Sequence, residues 1–188
     1  MTRRNSTRSA PWAVVLPATV AIVIASFAAP RANAQEASRP ERPRVLFLTH
    51  SAGFTHPVVR RVEQGKLAIA EAQFTKAATA HFDVVATQDC GMLAPDRLAD
   101  FEAVLFYTTG ELPIPAEHAE HLVQWVREGG AFAGVHSASD TFYQVPAYGA
   151  LIGGYFDGHP WHQEVEIRVE RPDHPIVAHL GGSFRIRD

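Results

Sequence analysis

The sequence predicts an α/β domain: a mainly parallel sheet with helices packed on both faces. Three observations predict it. Short apolar runs at 44–50, 83–87, 103–108 and 131–136 alternate with segments of helical spacing, and strand–helix alternation builds a covered parallel sheet. The first of these runs is apolar without a break, as in a strand buried on both faces. The composition fits one globular domain with a core, at 188 residues, 46% hydrophobic and 20% charged. A single cysteine, Cys90, excludes an internal disulfide framework.

The chain opens with an address. Met1 to Pro11 carries three arginines, Trp12 to Ala29 is apolar, and Ala32, Asn33 and Ala34 give a small-x-small site. This is the pattern of a secretory signal peptide, with cleavage expected after Ala34. The competing reading is a retained anchor, since the 18-residue apolar run is near the lower limit for spanning a bilayer. Pro17 and the small-x-small site favour cleavage. A secreted or periplasmic protein is therefore expected, touching a membrane only through this segment if it stays uncleaved. Residues 35–43 read as a short disordered lead-in, and 44–188 as the folded domain.

Within that domain each element has a local reason. Arg44 to His50 is the first strand. Pro57 to Lys76 reads as a helix with Val58, Val62 and Ile69 on one side and Gly65 as a weak point. Asp83 to Thr87 is a shorter strand, followed by a loop that contains Cys90. Ala103 to Thr108 is the third strand. Pro115 to Glu128 is the clearest helix. Pro115 suits its first turn, Glu117 and Glu120 its positive end, and Arg127 its negative end. Leu122, Val123 and Val126 form its apolar face, and Gly129 and Gly130 stop it. Ala131 to His136 is the fourth strand, and Val145 to Ile152 a short helix. Glu164 to Val169 alternates strictly, as a strand with one wet face does. Phe184 to Asp188 reads as a strand just beginning, which leaves two readings open: a natural end at an edge strand, or a domain that is C-terminally incomplete, the one that the family resemblance named below favours.

Charge narrows the function. Of the 17 Lys and Arg, Arg3, Arg4, Arg8 and Arg31 lie in the first 34 residues, where no acid lies. The remainder carries 13 bases against 20 acids, a net of −7. An acidic body argues against a nucleic-acid partner.

Chemistry is expected at the carboxyl ends of the strands, where open parallel sheets bind ligands. Three strand ends carry candidate groups: His50 and Ser51, leading to Phe54 and His56; Thr109 to Glu111; and His136 to Asp140. The segment Gly134 to Ala138 has the small-x-residue-x-small shape of a nucleophile elbow, with His136 at its centre. Histidine there suits a general base or a metal ligand better than a covalent nucleophile. The competing reading is a histidine that caps the strand. His50 and His56 flank a Gly-Phe loop. His159 and His162 lie beyond a glycine, with Pro160 between them. A divalent metal such as zinc held by His50, His136 and His159 is a further reading of these strand ends, one that no helical ligand spacing supports. Tyr143 and Trp161 are candidates for stacking on sugar rings, against the commoner role of aromatics in cores.

Four segments carry a family resemblance: Phe47 to His56 (FLTHSAGFTH), Glu128 to Ser139 (EGGAFAGVHSAS), Leu151 to Pro160 (LIGGYFDGHP) and Asp173 to Pro175 (DHP). The sequence resembles the ThuA-like, trehalose-utilisation family over nearly all of residues 44–188. The resemblance implies a flavodoxin-like sandwich of the class I glutamine amidotransferase type. It also implies that the elbow lacks the amidotransferase cysteine, and His136 agrees. The function implied is carbohydrate utilisation, acting on a disaccharide or keto-sugar.

The expectation is an extracytoplasmic, histidine-dependent enzyme, a hydrolase or isomerase, acting on a small carbohydrate. His136, His50 and Glu111 are the catalytic candidates. His56, Phe54, Asp140, Tyr143 and Trp161 are the substrate-binding ones. A non-catalytic carbohydrate-binding module on the same scaffold is the alternative. The sequence carries no signal of oligomeric state.

Overall fold

The computed structural model describes residues 42–159 and 162–187. Four strands make the central sheet: β1 (Arg44–Leu48), β2 (Asp83–Thr87), β3 (Ala103–Phe106) and β4 (Ala131–Gly134). Every pairing is parallel and the spatial order is β2-β1-β3-β4. The helices are α1 (Ile69–Ala78), α2 (Pro95–Leu98), α3 (Ala116–Arg127) and α4 (Pro146–Ile152).

Side chains of β1 alternate between two cores, as strand geometry requires. Leu46 and Leu48 join Val104, Phe106, Leu122 and Tyr148, which brings α3 and α4 onto one face. Val45 and Phe47 join Leu105 and pack against Phe74 of α1 on the other. Each such side chain contributes about 1.5–3 kcal/mol when fully buried. The result is a three-layer, flavodoxin-like α/β sandwich, and the unbroken apolar run of β1 follows from burial on both faces. β5 (Glu164–Arg168) and β6 (Ser183–Arg187) pair antiparallel in a separate two-stranded sheet. The strict alternation of β5 reappears as alternating exposure.

Two stretches differ from the sequence expectation. The helix expected over 57–76 is instead a 3-10 turn at Pro57–Val59, an irregular link, and then α1. Gly65 sits at φ +77°, outside helical space. Glu71 starts α1 late: its carboxylate accepts from the Ala68 backbone N–H at 2.8 Å and caps the helix four residues beyond Gly65's turn. The expected apolar side is also displaced. Val59 is the buried residue of the turn, while Val62 is 81% and Ile69 64% exposed. The second difference lies after β2, where Cys90 is expected in a loop. Cys90–Leu93 forms a 3-10 turn and Pro95–Leu98 forms α2, because Leu93 and Leu98 reach the core.

The expected signal segment lies outside the described residues, as does the lead-in apart from Arg42 and Pro43. Those two are tied to β2: Arg42 pairs with Asp83 at 2.5 Å, and the Asp83 N–H donates to the Pro43 carbonyl at 2.9 Å. Among the described residues no helix is long and apolar enough to cross a membrane.

Candidate functional site

β4 ends in a strained turn. Gly134 closes the strand, and His136 opens the 3-10 turn His136–Ser139 with φ at +49°. A non-glycine residue held in left-handed space costs of order 1–3 kcal/mol and marks functional sites. The small flanks of the motif explain how the turn closes. A Cβ added at Gly134 would lie 2.8 Å from the Ala138 Cβ, so only glycine fits. Tyr148, fully buried at the start of α4, donates its hydroxyl to the Ala138 carbonyl at 2.8 Å and pins the turn from below. Burial pushes that phenol up. His136 is thus presented at an elbow, as the spacing predicts.

The three strand ends are stitched together. Isolated parallel bridges join Ser51 to Thr109 and Gly110 to Thr141. The Thr109 hydroxyl donates to the Phe54 carbonyl at 2.8 Å, and the Gly110 N–H donates to the Asp140 carbonyl at 2.6 Å. Beneath them, the Thr108 and Thr141 hydroxyls meet at 2.8 Å in a fully buried pair. The loops after β1, β3 and β4 therefore form one wall at the carboxyl edge of the sheet.

A cavity of about 540 Å³ opens against this wall. Four histidines line it: His56, His136, His159 and His162. The His56 and His136 rings meet edge to face, with centroids 4.6 Å apart. His159 and His162 lie 4.9 Å apart. Phe54 and Phe156 add aromatic surface, each flanking one pair: Phe54 is 4.9 Å from His56 and Phe156 is 5.6 Å from His159. Asp140 supplies the acid, and Ser137 and Ser139 supply hydroxyls. The Ser137 hydroxyl oxygen is buried with no hydrogen-bond partner among the described residues. The described lining contains no lysine or arginine.

The sequence candidates divide on this geometry. His136, His56, Phe54, Asp140 and His159 line the cavity. His50, Glu111 and Tyr143 do not. The His50 Nδ1 lies 3.0 Å from the Gln88 carbonyl, which can only accept, so that nitrogen carries the hydrogen. The Glu111 carboxylate accepts from the Gln144 N–H at 3.1 Å and shapes the loop before α4. Tyr143 donates to the Asp140 carboxylate at 2.7 Å. Trp161 lies outside the described residues. The expected metal trio of His50, His136 and His159 is not assembled, because the His50 ring is turned to Gln88. Among the described residues no three of His, Cys, Asp and Glu are arranged to hold a metal.

Sequence reasoning missed Phe156 and Tyr107. The Tyr107 ring lies 5.7 Å from both His56 and His136. Its place just past β3, at the carboxyl edge, was the available signal. Phe156 sits inside the Leu151 to Pro160 motif, between two histidine-bearing segments. Cys90 has no place at this site. It is buried, and burial together with the Asp89 charge pushes its thiol up to about 12.

Among solved structures, the fold is similar to that of a ThuA-like protein from Bacteroides uniformis ATCC 8492. The TM-score is 0.52 at 20% identity, over 78% of this chain and 60% of that one. The chain thus spans 60% of the length of that protein. No curated protein matches. A family model described as ThuA, trehalose utilisation, matches residues 44–188, well over half of the sequence, so the chain belongs to the ThuA family of carbohydrate utilisation.

Proposed function

We propose that this protein is an extracytoplasmic enzyme that processes a small carbohydrate, a disaccharide or keto-sugar, with His136 as its general base. The observation that carries the reading is His136 itself: a histidine held at φ +49° on an elbow, in ring contact with His56, at a cavity with aromatic walls. Left-handed strain on a bulky residue is tolerated where the presented side chain has work to do. A volume of about 540 Å³ lies within the range of small-ligand sites. Phe54 and Phe156 offer apolar faces to a sugar ring. Asp140, Ser139 and the imidazoles offer partners for its hydroxyls. The imidazole of His136 then takes a proton from a sugar hydroxyl, or from the carbon beside a keto group, while His56 alongside it moves a proton in the opposite sense. The basic, apolar, then small pattern of residues 1–34 supports action outside the cytoplasm.

The ring contact between His136 and His56 favours catalysis over plain binding, because a binding module needs no such pair of proton-transfer groups. The test is to incubate the protein with trehalose and with 3-keto derivatives of disaccharides and to follow product by mass spectrometry and NMR. Turnover that falls by about 100-fold or more in His136→Asn, with sugar binding retained, is expected. Turnover unchanged in that variant would sink the assignment. Saturable sugar binding without product would leave a binding module.

A further inference from the structure

Tyr143 is the candidate whose structural role differs most from its sequence reading. Expected to touch substrate, it does not line the cavity, and yet it is bonded to two groups that do. Its hydroxyl lies 2.7 Å from the Asp140 carboxylate and 2.8 Å from the Phe156 carbonyl. Both are acceptors, and the phenol has one hydrogen to share between them. Asp140 caps the elbow turn and Phe156 belongs to the later lining segment, so one hydroxyl ties two lining segments together.

The base beneath this tie is stiff. The Tyr143 ring stacks on Tyr155, with centroids 5.0 Å apart and planes at 29°. The Tyr155 hydroxyl lies 2.7 Å from the Val145 carbonyl and 2.9 Å from the Phe142 carbonyl, and it accepts from the Gly149 N–H at 3.0 Å. The segment being held is the opposite: Gly153 and Gly158 bracket Phe156 at φ +86° and +121°, with open space where a side chain would lie. At Phe156 its backbone is fixed by two bonds, the Phe156 N–H to the Ser139 carbonyl at 3.0 Å and the Tyr143 tie. A short segment with two glycine ends takes its position from such ties.

We propose that Tyr143 is a positioning residue, whose hydroxyl fixes the Asp140 carboxylate and the Phe156 rim in the geometry that receives the ligand. The proposal rests on the reading of the cavity as a carbohydrate site, and its test separates the two. Burial, the hydrogen bond to Asp140 and the charges of Asp140, Asp157 and Glu111 push the Tyr143 phenol up to about 12.

The experiment compares the full chain with its Tyr143→Phe variant, which keeps the stacked ring and loses only the hydroxyl. Backbone hydrogen exchange is read across 153–159 without ligand, and trehalose affinity is read by calorimetry. Exchange at Phe156 is expected to rise about five- to tenfold, the effect of one lost hydrogen bond, with α1 and α3 unchanged. Trehalose affinity is expected to fall by a similar factor. Faster exchange in a protein whose wild type binds no trehalose would support the positioning role and count against the carbohydrate reading. Unchanged exchange with unchanged trehalose affinity would overturn the positioning role alone. Weaker binding with unchanged exchange would also overturn it, by making Tyr143 a direct sugar contact. Asp140→Ala removes the acceptor at the other end of the tie and guards against a poorly folded first variant. There the tyrosine NMR titration should bring the Tyr143 phenol down from about 12 toward its usual 10, and a phenol that does not move would overturn the tie.

Discussion

Glu71 is the buried charge on which the cavity wall depends, and removing it has a calculable effect. Its side chain is fully buried. The carboxylate accepts from Arg61 Nε and Nη2, each at 2.9 Å, from the Thr49 hydroxyl at 2.5 Å and from the Ala68 N–H at 2.8 Å. Between Thr49 and Ala68 runs the loop that carries Phe54 and His56, so one carboxylate clamps both of its ends. Removing one partner of a buried ion pair costs about 3–5 kcal/mol. Arg61 is 32% exposed, so water compensates part of its loss and the lower end, about 3 kcal/mol, is expected for Glu71→Ala. At this chain length that is a drop of roughly 6–12 °C in Tm.

The pH dependence fixes the mechanism. Burial raises the Glu71 carboxyl, but the bonds from Arg61, Thr49 and Ala68 and the Arg61 charge outweigh it, and the carboxyl lies below its usual 4.5. A depressed acid stabilises the fold fully above its unfolded value, and that contribution is lost as pH falls through the folded value. The stability gap between wild type and Glu71→Gln, measured by urea denaturation, should therefore be constant from pH 7 down to about 5. It should narrow below 4.5. A gap that persists in acid, or no gap at pH 7, would refute the reasoning.

Two further outcomes are expected. His136→Gly and His136→Ala both delete the imidazole, but only glycine accepts φ +49° without strain. The glycine variant should be more stable by about 1 kcal/mol in thermal unfolding, and equal stabilities would mean that the elbow is not strained. Cys90, buried with its thiol pushed up to about 12, should resist iodoacetamide at pH 8 in the folded protein and react on unfolding in urea. Rapid labelling of the native protein would contradict its burial.

The strands were legible because what makes them is local. β1, β2, β3 and β4 all begin where the apolar runs begin, and α3 sits within one residue of its expected bounds, since its Pro, acid, base and glycine signals all lie on or next to the helix itself. α1 was misjudged because its start is fixed from a distance. Arg61, Thr49 and Glu71 are separated by 10 and 22 residues, and no periodicity in 57–76 announces that they meet. The same distinction divides the site. The Gly134 to Ala138 elbow is a five-residue steric solution, so its spacing alone revealed it.

His50 and His56 show where that kind of reading stops. Both lie in one loop with equal local claims, and the sequence ranked His50 the higher. The choice is made elsewhere: the Gln88 carbonyl after β2 takes the His50 ring, and the Thr109 hydroxyl after β3 takes the Phe54 carbonyl two residues before His56. These are contacts between loops that only sheet order brings side by side. β1 lies between β2 and β3, so the loop leaving it is held from both neighbours. Its first histidine is drawn to the β2 side, and the segment bearing its second is drawn to the β3 side, beside Tyr107 and the elbow. The order β2-β1-β3-β4 thus selects which histidine joins His136. A variant that frees His50 from Gln88 would not make it a substitute for His56, because the backbone between them is fixed at Ser51 and Gly53 by Thr109.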